Sequence, residues 1–177
     1  MLTLTLMRHA NSGWGDEGQP DFDRTLDKRG RKDAPEMGAY MRQQNISPDL
    51  ILCSAALRTR ETYELLNTQA NFSSEVRFMD ELYLINEAQL MKLLYTFTDE
   101  FNHICVIAHN PGIHEMVVNL VSMGSMERLA SLGSDFPTSS IVVFEFDIKC
   151  WSELMQRSGK VIAFSTPALL STTQNIV

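Results

Sequence analysis

An α/β fold is predicted, a three-layer α/β/α sandwich around a mostly parallel central sheet, and three observations predict it. Residues 49–53 and 104–108 are near-continuous apolar runs and residues 2–7 are apolar with Thr3 and Thr5 interleaved, as expected of strands covered on both faces. Segments of helical periodicity lie between them, and that alternation builds parallel sheets. The 177 residues, 44% hydrophobic and 21% charged, have the size and composition of one globular domain spanning 1–177.

The first strand, residues 2–7, runs into Arg8-His9-Ala10. The polar, Gly-containing stretch 11–23 reads as a surface loop. A helix follows, capped by Asp27 or by Asp33. Asp33-x-x-Glu36 fits a capping box, and Met37, Tyr40 and Met41 recur at helical spacing. Pro35 sits in the first turn of a helix begun at Asp33, or kinks one begun near Asp27. The second strand, 49–53, leads to Ser54 as N-cap of a helix through Leu66. Residues 76–79 read as a short strand, and Leu90, Leu93, Leu94 and Phe97 form the stripe of a helix over 87–98. The third buried strand, 104–108, ends at His109. A helix over 113–121 and strands over 141–147 and 161–164 complete the chain.

Composition narrows the partners. A formal net charge of −7 repels nucleic acid and anionic membrane, so a phosphate ligand needs a local basic pocket. Cys53, Cys105 and Cys150 lack CxxC spacing, and the first two lie in strand-like runs as buried thiols. No apolar run approaches the roughly 18 residues of a membrane span, and no basic stretch precedes an apolar one at the N-terminus. The expected location is cytoplasmic.

Residues capable of chemistry gather at predicted strand ends: Arg8 and His9, Ser54 and Arg58, and His109-Asn110-Pro111-Gly112. Ligands of open α/β sheets bind beyond the carboxyl ends of the strands, which brings these distant groups to one crevice. His103 and His114 read as structural or surface residues. His109 and His114 are five apart and do not share a helix face, so no zinc site is expected.

The same residues resemble a known family. Leu6-Met7-Arg8-His9-Ala10 is similar to the RHG/RHA signature of the histidine phosphatase superfamily, also called phosphoglycerate mutase-like. Cys53-Ser54-x3-Arg58-x3-Thr62, Asp80-Glu81-Leu82 and Ile107-Ala108-His109-Asn110 resemble its second, third and fourth motifs, in family order. The short length, Arg24-Thr25-Leu26-Asp27-Lys28-Arg29-Gly30, His109-Asn110-Pro111-Gly112 and Phe136-Pro137-Thr138-Ser139 most resemble the SixA-type phosphohistidine phosphatases. That branch lacks the large helical insertion of the mutases. Thr25, Asp27 and Cys53 stand where the family frequently has Pro, Thr and Ser.

The resemblance implies a phosphatase that needs no metal and no cofactor and works through a phosphoenzyme on His9. His9 attacks through a neutral ring nitrogen while its other nitrogen donates to a backbone carbonyl. Arg8 and Arg58 depress its pKa and offer forked cationic donors to the phosphate. His109 adds a donor, and Thr62 reads as a packing or positioning residue. Arg24 and the backbone of Asn11 and Ser12 complete the expected substrate contacts. Glu81 is open between an acid for the leaving group, a base for the hydrolytic water, and a positioning group. The expected substrate is phosphohistidine on a protein, with a small sugar or nucleotide phosphomonoester as the alternative. A phosphate-binding module without catalysis is the third reading, although binding alone needs no nucleophile.

Overall fold

The computed structural model describes residues 1–15, 17–98, 100–123 and 136–174; residue 16, inside the expected surface loop, lies outside that set. The described strands form one sheet of β1 (Leu2–Arg8), β2 (Leu50–Ser54), β3 (Glu75–Met79), β4 (His103–Ala108), β5 (Ile141–Phe146) and β6 (Lys160–Ser165). Their order is β3-β2-β4-β1-β5-β6. The first four run parallel, β5 is antiparallel to β1, and β6 is antiparallel to β5. Parallel neighbours need a crossover, supplied by α1 (Lys28–Gln43), α2 (Leu57–Ala70) and α3 (Glu87–Leu94). Helix α4 (Gly112–Leu120) follows β4, and α5 (Pro167–Gln174) follows β6.

Apolar strands are required because both faces of this sheet are covered. Met7, Ile51, Cys53, Cys105, Ile107 and Val143 pack against Met37 and Met41 of α1 and Leu66 and Ala70 of α2. The intervening residues, Leu4, Leu6, Leu52, Val106 and Phe144, face Leu90 and Leu94 of α3 and Met116, Val117 and Leu120 of α4. Adjacent residues point to opposite faces, so an unbroken apolar run fills two cores at once. The architecture is therefore the expected α/β/α sandwich. No helix among the described residues is long and apolar enough to cross a membrane.

Several local expectations are corrected. Asp27 caps α1 by accepting the Gly30 N–H at 2.8 Å, so the Asp33 capping box does not form and Pro35 lies inside the helix. Ser54 is not a helix cap. It ends β2, and α2 begins three residues later, at Leu57 behind Ala56, and continues past Leu66 to Ala70. Helix α3 stops at Leu94 rather than Thr98, because the Thr96 and Phe97 N–H groups bond three residues back, to Leu93 and Leu94. Phe97 still packs, edge to face with Phe101 at 6.4 Å, which is why it completed a helical stripe on paper.

One contact ties this frame to the chemistry. A Cβ on Gly30 would stand 2.1 Å from the carbonyl oxygen of Asn11. The first turn of α1 thus rests directly on the backbone just after His9, and only glycine permits that approach.

Candidate active site

The register of the sheet sets the site. Met7 and Cys53 both pair with Ile107, and Arg8 pairs with Ala108. Consequently Ser54, His109 and the Arg8-His9 pair leave β2, β4 and β1 at one level, side by side at the carboxyl edge. The His9 and His109 rings lie 5.1 Å apart, centroid to centroid.

His9 is buried at 8% exposure, and its Nδ1 lies 2.8 Å from the Ala10 carbonyl oxygen. A carbonyl only accepts, so Nδ1 carries the proton and Nε2 keeps its lone pair. Burial lowers the His9 pKa to about 4, and the charges of Arg58, Arg8 and Arg24 add to the effect against an opposing pull from that carbonyl. The ring is neutral and tautomerically fixed at neutral pH. Thr62 secures the backbone beneath it: its Oγ1 accepts the Ala10 N–H at 2.9 Å and donates to the Arg58 carbonyl at 2.6 Å.

Arg58 and His109 form the second half. Arg58, 4% exposed, directs Nη2 to His109 Nδ1 at 3.2 Å. A guanidinium only donates, so Nδ1 of His109 is an acceptor and its Nε2–H donates to Ser54 Oγ at 2.8 Å. His109 therefore presents Nδ1 as an acceptor in this state. Burial lowers its pKa to about 3, helped by His9 and Arg58. A negative charge placed beside it would raise that pKa, and protonation would turn Nδ1 into a donor.

The other expected residues are placed as follows. Arg8 donates from Nη1 to the Phe136 carbonyl at 2.9 Å, which Asn110 Nδ2 also reaches at 3.0 Å. Arg24 closes the loop on itself, binding the Gly13 carbonyl, Ser12 Oγ and Asp21, with Trp14 5.6 Å away beneath its guanidinium. Asn11 turns its side chain to Asp27 at 2.6 Å, and Ser12 bridges to Leu26. Glu81 is exposed on the short 3₁₀ turn Asp80–Leu82, and among the described residues no hydrogen bond or ion pair joins it to the cluster. Two residues not anticipated from sequence also belong here. Asp21 accepts from Arg58 Nη2 at 3.0 Å and from the Tyr83 hydroxyl at 2.7 Å, while its carbonyl accepts Arg58 Nη1 at 2.6 Å. Tyr83 stands edge-on to the His109 ring at 5.5 Å. The spacing Asp21-x-x-Arg24 signals only the local pair with Arg24, not the contact with Arg58.

These buried histidines make stability acid-sensitive. Burial also lowers His103 to about 4, so three histidines stay neutral in the folded chain where the unfolded chain, with pKa about 6.5, takes up protons. Stability is full above pH about 6.5 and falls as pH drops toward 4, with a slope of up to about 1.4 kcal/mol per pH unit for each histidine. Urea unfolding at pH 7.5 and pH 4.5 is expected to show a loss of several kcal/mol across that window; equal stability at both would contradict the burial of these rings.

Comparison with known proteins agrees with this geometry. Residues 4–90 match the family model described as histidine phosphatase superfamily, branch 1. An uncharacterised protein of Mycobacterium leprae is 30% identical over 166 residues, covering 91% of this chain and 99% of that one. Among solved structures, a provisionally assigned phosphohistidine phosphatase SixA from Agrobacterium tumefaciens superposes with a TM-score of 0.79 at 27% identity, covering 94% of this chain and 98% of its own. A second, likewise provisionally assigned, from Nakamurella multipartitia gives 0.77 at 26% identity, covering 94% and 96%. The chain belongs to the histidine phosphatase superfamily.

Proposed function

We propose that this member of the histidine phosphatase superfamily removes phosphate from phosphohistidine on proteins, with His9 as the nucleophile. The observation that carries the reading is the state of His9: Nδ1–H tied to the Ala10 carbonyl, pKa about 4, and a neighbouring His109–Arg58 pair. Phosphoryl transfer asks the protein for an in-line nucleophile and fixed positive charge, and this set offers both.

In the first step Nε2 of His9 attacks phosphorus and the substrate P–N bond breaks, its electron pair returning to the departing imidazole. Arg8, Arg58 and His109 hold the equatorial oxygens. The phosphorylated His9 ring becomes cationic, and its Nδ1–H to the Ala10 carbonyl then bears the charge. In the second step water attacks the phosphoenzyme, the electron pair returns to Nε2, and the water proton leaves with phosphate. An imidazole departs as a neutral base when its second nitrogen is protonated, so this substrate makes a lighter demand for an acid than an alkoxide does. Glu81, exposed and outside the cluster, has no part in the first step. Glu81→Gln is accordingly expected to keep kcat/KM for a phosphohistidine peptide within about threefold of wild type; a hundredfold loss would restore Glu81 to the chemistry.

The likeness to structures named phosphohistidine phosphatase SixA supports a phosphohistidine substrate. A cytoplasmic setting accords with Cys53, Cys105 and Cys150 all being free thiols. The test is turnover of a phosphohistidine peptide against a panel of sugar and nucleotide monophosphates. Higher kcat/KM for the peptide is expected, and faster hydrolysis of any sugar or nucleotide phosphate overturns the substrate assignment.

A further inference from the structure

The short 3₁₀ turn Asp21–Asp23 places an acid against the cationic site, which is an unfavourable neighbour for a phosphate dianion. Asp21 uses Oδ1 to accept Arg24 Nη1 at 2.8 Å, and Oδ2 to accept Arg58 Nη2 at 3.0 Å and the Tyr83 hydroxyl at 2.7 Å. The same Nη2 of Arg58 reaches His109. The carboxylate is thus one guanidinium nitrogen removed from His109, whose ring neighbours His9. Tyr83 fixes it from a second side, with its ring against both His109 and Phe22. The Asp21 side chain is 47% exposed, so it remains open to a group arriving from solvent.

We propose that Asp21 is a specificity-determining residue that selects substrates with a positively charged leaving group, protonated imidazole above all, by accepting its N–H, and that it disfavours phosphoesters. The inference rests on the phosphohistidine reading and names what in the site would impose it. A carboxylate has about four acceptor positions, and three are occupied here. One remains for the N–H of the substrate ring. The Tyr83 hydrogen bond, with those of Arg24 and Arg58, holds the Asp21 pKa at about 2, so at neutral pH this group accepts protons in hydrogen bonds and has none to give an alkoxide. The step balances without proton transfer. A phosphohistidine protonated on its distal nitrogen loses the phosphoryl group, the P–N electron pair stays on the ring, and neutral imidazole leaves while phospho-His9 takes over the positive charge. A carboxylate facing the distal N–H favours the protonated, reactive form of the substrate.

The rival role for Asp21 is to hold Arg58 and Arg24 in place, which would matter equally for every substrate. The test compares wild type with Asp21→Asn and Asp21→Ala on three probes. These are a phosphohistidine peptide, inorganic phosphoramidate (whose protonated nitrogen leaves as ammonia), and p-nitrophenyl phosphate, whose leaving group needs no proton. Asp21→Asn is expected to lower kcat/KM about tenfold on the first two, and to lower KM for p-nitrophenyl phosphate a few-fold by removing repulsion of the anion. Asp21→Ala is expected to show the same split. An equal loss on all three probes, or no change on any, overturns the inference, as does a wild type inert to phosphoramidate yet active on p-nitrophenyl phosphate. A wild type inert to the peptide, with the split intact on the small probes, overturns the protein-substrate reading and leaves Asp21 selective for cationic leaving groups.

Discussion

Replacing His9 by alanine is expected to cut turnover of a phosphohistidine peptide by at least about 10⁴-fold, because the reaction loses its nucleophile and not a contact. Arg8, Arg58 and His109 remain, so inorganic phosphate is expected to bind with an affinity within about tenfold of wild type. The fold is expected to survive. The His9 ring stands at a strand end, its backbone N–H stays on the Ala108 carbonyl, and its carbonyl still accepts the Ser139 N–H. Thermal unfolding separates the cases. A folded His9→Ala protein retaining more than about 1% of turnover contradicts the nucleophile assignment.

Replacing Arg58 by alanine is expected to lower kcat/KM by about 10² to 10³, the usual cost of about 3 to 4 kcal/mol for losing one preorganised donor to a reacting group. The consequences spread further than one contact. His109 Nδ1 loses its donor, and Asp21 loses both the hydrogen bonds it receives from this guanidinium. Arg58 also helps depress His9 and His109, so the variant is expected to titrate both rings nearer neutral pH, visible as a shift of their ring proton resonances. Arg58→Lys keeps the charge but not the planar fork, and is expected to recover part of the activity. Activity of Arg58→Ala within about tenfold of wild type contradicts a direct role on the phosphoryl group.

Much of this arrangement was legible in the sequence, for a physical reason. Strands buried on both faces are largely apolar, so the polar pair Arg8-His9 after Met7 and His109 after Ala108 mark strand ends. Arg58 was legible through the resemblance of Cys53-Ser54-x3-Arg58-x3-Thr62 to the family's second motif. The capping role given to Ser54 failed because capping propensity cannot tell a hydroxyl that satisfies a helix from one claimed by a histidine on a neighbouring strand. The end of α3 was misplaced because Phe97 keeps the helical period while the backbone tightens after Leu94. Asp21 and Tyr83 were not legible as site residues. Each reaches Arg58 or His109 only once the loop and the 3₁₀ turn fold over the sheet edge, and no local periodicity encodes that.

The most direct measurement is rapid-quench trapping of the enzyme during turnover of a phosphohistidine peptide labelled with ³²P. Label on the protein that is lost in acid, stable in alkali and confined to the proteolytic fragment bearing His9 is the predicted result. Turnover at the normal rate without such label, or with label on a different fragment, would show that the phosphoryl group never passes through this imidazole.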